Sequence, residues 1–148
     1  MALFSAFCNF FKMPIYTTYM NIFALSGLLI GASSTVMAVL LLIVGRKTLH
    51  RIWSLFCISV AIWGFGAYQI ATTQNIQDAD FWWRITHIGV IFIPILFTHF
   101  VYAFLQRKNN ALLIALYLLG GIFLAANFFT DLFIADMRWV FNQFYYDS

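Results

Sequence analysis

Glutamate is absent from the 148-residue chain, and all five acids are aspartates. Charged residues make up only 9% of the sequence and hydrophobic ones 64%, whereas an ordinary soluble domain carries about 25% charged residues. So few charges cannot cover a soluble surface, which excludes a soluble monomer, a disordered chain and a basic nucleic-acid binder. Cysteine is equally scarce: Cys8 lies near the N-terminus and Cys57 inside an apolar run, which excludes a disulfide framework. The bulky Phe7 before Cys8 argues against a lipidation cleavage site. Catalytic groupings are missing as well. No nucleophile has a neighbouring base, no carboxylates pair for acid–base work, and no glycine-rich loop cradles a phosphate. No enzyme activity is therefore expected of these residues. No secretory signal is evident, since the first cation, Lys12, follows an apolar start. Translation starts at Met1, Met13 or Met20, a choice the sequence leaves open.

What is present is apolar and continuous. A helix rising about 1.5 Å per residue needs about 20 apolar residues to cross a hydrocarbon core. Four runs meet this, over residues 19–44, 52–71, 81–105 and 111–130. Because lipid cannot satisfy a backbone, each continuous run is expected to be a helix. The separators are short, so neighbouring helices are expected in up-down order. The fold class is an all-α integral membrane protein, with residues 1–148 forming one membrane domain in contact with the lipid bilayer.

Five of the eight basic residues lie in two loops: Arg46, Lys47 and Arg51 after the first run, Arg107 and Lys108 after the third. The opposite side holds Lys12, Arg84 and Arg138. The positive-inside rule then puts the two loops in the cytoplasm and the N-terminus outside, in a multi-pass protein of the cytoplasmic membrane. All the aspartates fall outside. Trp53, Phe81-Trp82-Trp83 and Trp139 fit the aromatic belts at the membrane surfaces.

Among candidate functional residues, Asp80 and Arg84 are four apart and share a helix face. Pairing with Asp80 and snorkelling to the headgroups is the favoured reading of Arg84, ahead of an anion or ligand contact. Pro94, near the middle of the third span, has no amide to offer the carbonyl of Val90, and is a candidate helix hinge or packing device. His87 and His99 lie twelve residues apart on one span, and His50 lies in a loop. No Cys/His spacing suits zinc, so neither metal nor haem nor other cofactor is expected. A histidine inside hydrocarbon is costly unpaired, so His99 is expected to find a partner on another helix. Ser33, Ser34, Thr35, Ser59, Gln69 and Asn127 suit interhelical hydrogen bonds. Gly27 with Gly31, and Gly121 with Ala125, have the spacing that lets helices approach closely. No acid or lysine inside a span marks an ion route, which weakens a pump or transporter reading.

The residues Ala61-Ile62-Trp63-Gly64-Phe65, Phe81-Trp82-Trp83-Arg84, Gly89 and Pro94 are similar to the N-terminal seven-helix membrane region of bacterial sensor histidine kinases. The resemblance covers about residues 21–129, carried by Trp63, Arg84, Gly89 and Pro94. The segment 131–147 is similar to the outer loop before that region's fifth helix. The resemblance implies a sensory input module of a two-component system, with four of seven helices present and the kinase in domains absent from this chain. The expected sensing cavity opens outward and is lined by Arg84, His87, Trp63 and Tyr68, with Asp80 beside Arg84. It would take a small-molecule ligand, in a region that forms a homodimer. A competing reading is a four-helix transporter-like or accessory membrane subunit.

Overall fold

The computed structural model describes residues 22–107, 110–130, 136–140 and 143–147, the last two segments by their backbone. The sequence readings on Cys8, Lys12, Met13, Met20 and Lys108, and on the side chains of Arg138 and Trp139, lie outside the described residues. Among the described residues four helices follow one another: α1 (Ile22–Val44), α2 (Thr48–Thr72), α3 (Ile76–Phe104) and α4 (Ala111–Phe129). Each is long and apolar enough to cross a membrane. Their outward surface is greasy: Ile22, Ile43 and Phe129 are 83%, 76% and 88% exposed. Such a surface suits lipid and not water.

Two helices reach further than the apolar runs. The second begins at Thr48 and the third at Ile76, both in polar sequence. Hydrophobicity marks what sits in lipid, whereas a helix continues until its backbone is capped. The Asn75 side chain does this for α3, accepting a bond from the Gln77 amide at 3.1 Å, and Asp78 in the first turn complements the helix dipole. Beyond α4 the chain forms a β-hairpin, β1 (Asp136–Val140) with β2 (Gln143–Asp147), paired antiparallel from Asp136↔Asp147 to Val140↔Gln143. The hairpin replaces the simple loop expected for this segment. Its strand β2 comes to rest against α2.

Small residues set the packing of α1 on α2. A methyl group on Gly27 would sit 2.8 Å from the Gly64 carbonyl oxygen, and one on Gly64 would sit 2.6 Å from the Gly31 nitrogen. The expected Gly27/Gly31 pair is thus a real contact, met by a third glycine on α2. Ser54, fully buried, donates to the Ala38 carbonyl at 3.0 Å across the same seam. As residue numbers rise along α1, their partners' numbers fall along α2. The same holds between α2 and α3, from Gly66 beside Thr86 to Trp53 on Phe100 with ring centroids 4.5 Å apart. Gly89 brings the two backbones close there, since a methyl group on it would meet the Ser59 carbonyl at 2.5 Å and the Trp63 nitrogen at 3.0 Å.

The fourth helix is attached more sparsely. Its buried residues are Leu113, Gly120 and Asn127. Gly120 receives the Ile95 side chain, while Gly121 has nothing within 4 Å among the described residues. The expected Gly121/Ala125 pair is therefore not the packing pair here: the adjacent glycine takes that role. A rotation of about 100° per residue separates the two faces.

Candidate functional site

At one end of the bundle, α3 and α4 are joined by a polar clasp. The Arg84 guanidinium donates through Nε to Asp80 Oδ2 at 3.0 Å, one turn earlier on the same helix. Its Nη1 donates across to the Asn127 carbonyl at 2.7 Å and the Thr130 carbonyl at 3.4 Å. In return, the Asn127 side-chain amide donates to the Arg84 carbonyl at 2.9 Å. The two residues exchange bonds across 43 positions of sequence.

The chemistry of helix ends explains this. The last carbonyls of α4 have no amide of their own helix to accept from. A cation beside them satisfies an acceptor and meets the negative end of the helix dipole. Arg84 therefore acts as a cap on α4 supplied by α3. Thr130 adds a local cap, with its hydroxyl donating to Ala126 at 2.6 Å. Asp80 keeps the guanidinium neutralised, although its side chain is 38% exposed and the pair is partly screened. Asn127 is buried with 1% exposure, and its Oδ1 has no donor among the described residues. An acceptor left so is costly.

The other candidate residues sit elsewhere around α3. His87 Nδ1 lies 2.7 Å from the Trp83 carbonyl, so that nitrogen carries the proton. Three residues from Arg84, His87 shares its side of the helix. Trp63 and Tyr68 belong to α2: the Trp63 backbone meets Gly89, and the Tyr68 nitrogen faces Gly27. The five steps from Arg84 to Gly89 turn the helix by about 500°, so the α2 contact and the clasp lie on different sides of α3. The structure brings Asp80 and Arg84 together, and adds Asn127.

Near the opposite end of α3, His99 Nδ1 lies 2.9 Å from the Tyr117 hydroxyl, with the rings edge to face. The partner on another helix expected for this histidine is thus Tyr117. Between the two attachments the helical run passes through Pro94 unbroken. Among the described residues no three His, Cys, Asp or Glu side chains gather into a metal-sized cluster.

From sequence, Asn127 is expected only to make an interhelical hydrogen bond, and its exchange of bonds with Arg84 is the structure's addition. Its signal was an amide alone in an otherwise apolar run near a helix end. Compared with known proteins, the chain matches a family model described as the N-terminal 7TM region of histidine kinase, over residues 15–146. No curated protein and no solved structure matches it.

Proposed function

The chain belongs to the family of N-terminal seven-transmembrane regions of histidine kinases, and from that premise we propose that it serves as the sensory input module of a two-component kinase. The family match over residues 15–146 carries this reading. The proposed setting is the bacterial inner membrane, with four spans in up-down order and the N-terminus outside. The positions of Arg46, Lys47, Arg51, Arg107 and Lys108 support that orientation. The clasp then lies at the outer surface, where a stimulus arrives.

Mechanistically, a ligand or a change in the bilayer that competes for Arg84, Asp80 or Asn127 loosens the end of α4 from α3. His87, on the clasp side of α3, and Trp63 and Tyr68, on α2 across the other side of α3, are the remaining candidates for the proposed ligand-sensing region. Pro94 removes one backbone bond between the clasp and the His99–Tyr117 contact, so the two halves of α3 can shift relative to each other. A two-state packing of this kind is what a stimulus can bias. Homodimerisation would pass the change to a paired kinase.

The test makes Arg84→Ala and Pro94→Ala in a full-length sensor kinase that carries this region and follows its autophosphorylation in membranes. The reading expects each variant to alter basal or stimulated output. Unaltered output in both, with normal membrane insertion, would overturn it.

A further inference from the structure

The His99–Tyr117 contact borders a groove of about 410 Å³ between α3 and α4, lined by His99, Asn110, Leu113, Ile114, Tyr117 and Leu118. Its composition is graded along the helix axis. Asn110 and the exposed Arg107 stand at the loop end, and Tyr117 with His99 lies about 10 Å deeper, seven residues on at about 1.5 Å each. The walls are aliphatic: Ile114 and Leu118 are 59% and 65% exposed, over a buried Leu113.

From this grading we infer that the groove seats one anionic glycerophospholipid. Charge complementarity comes from the end of the bundle at which it opens. Trp53 on Phe100 brings the start of α2 beside the end of α3, so Arg46, Lys47, Arg51 and Arg107 belong to one end. No acid occurs before Asp78 or between Asp80 and Asp131. An anionic phosphate at Arg107 and Asn110 meets cations and an amide, with no carboxylate of these loops competing. Deeper in, the His–Tyr pair leaves one donor over whichever way its bond runs. If the hydroxyl donates to Nδ1, the Nε2–H of the neutral ring remains, and if Nδ1–H donates, the hydroxyl proton remains. That donor suits the ester carbonyl of a glycerolipid, and the acyl chain then lies along Ile114 and Leu118.

Native mass spectrometry of the chain released from nanodiscs of equal phosphatidylglycerol and phosphatidylcholine tests this. The wild-type chain is expected to keep one phosphatidylglycerol in preference to phosphatidylcholine. Ile114→Trp, which fills the groove from an exposed position, abolishes that retention, and Leu118→Trp repeats the test with a second side chain. Arg107→Gln lowers retention about fivefold, the worth of one cation near an anionic surface. Arg46→Gln, removing the same charge from the other loop, lowers it less. Equal retention of the two lipids overturns the proposal. So does wild-type retention in both groove-filling variants with wild-type helicity, or an Arg46→Gln loss matching that of Arg107→Gln.

Discussion

Arg84 joins three roles that are usually separate: an ion pair within its helix, a cap on a neighbouring helix, and a backbone carbonyl that Asn127 uses as acceptor. Replacing the members of the clasp should therefore not cost equally. Arg84→Ala strands Asp80 and uncaps α4, for a loss of about 1–2 kcal/mol in the docking of that helix. Asn127→Ala removes one interhelical bond, worth about 0.6 kcal/mol on average in membranes, and at the same time removes an unsatisfied buried acceptor. Asp80→Asn should cost least, because the carboxylate is partly exposed. Unfolding from mild detergent into increasing denaturing detergent would read this order. A larger loss for Asp80→Asn than for Arg84→Ala would contradict it. The pairing of Arg84 with Asp80 was legible from a spacing of four. The Asn127 partner was not, because a separation of 43 residues carries no local signal.

Among the elements, α2 is the anchor and α4 the loosest. Nine residues of α2 are buried, against three of α4. Amides of α4 should accordingly exchange with deuterated water ahead of those of α2 in nanodiscs. Equal protection of the two helices would show that α4 is held by more than these contacts. Glycines test the packing more sharply. Gly89→Ala forces a methyl group onto the Ser59 carbonyl and should destabilise the α2–α3 pair by about 1–3 kcal/mol. Gly121→Ala meets open space and should be neutral or stabilising by up to about 1 kcal/mol. The existence of all four helices was legible because each apolar run is long and unbroken. Their polar extensions were not, since the start of α3 depends on the Asn75 cap and not on hydrophobicity. Nor could the adjacent Gly120 and Gly121 be told apart, because the choice depends on the rotational phase of a helix that is apolar nearly all round. The hairpin stayed hidden too: strands of five residues, Asp136–Val140 and Gln143–Asp147, are too short for a convincing alternating pattern.

For the molecule as a whole, the scarcity of charge becomes a statement about polarity between its two ends. The clasp sits at the end carrying Asp78 and Asp80, and the cationic loops sit at the other. With the proposed orientation, and with Cys8 and Cys57 replaced by alanine, Gln74→Cys should react with a membrane-impermeant thiol reagent added outside intact cells, and Thr48→Cys should not. The reverse pattern would place the clasp in the cytoplasm and remove its access to outside stimuli. The central claim is that the attachment of α4 to α3 through Arg84 and Asn127 carries the input signal. A double-mutant cycle of Arg84→Ala and Asn127→Ala, read as autophosphorylation of a full-length sensor kinase that carries this region, tests it most directly. The account predicts that each variant shifts output in the same direction and that the double variant shifts it furthest, because each side chain bonds the other residue's backbone carbonyl, which alanine keeps. Shifts in opposite directions, or no shift in any variant, would contradict it.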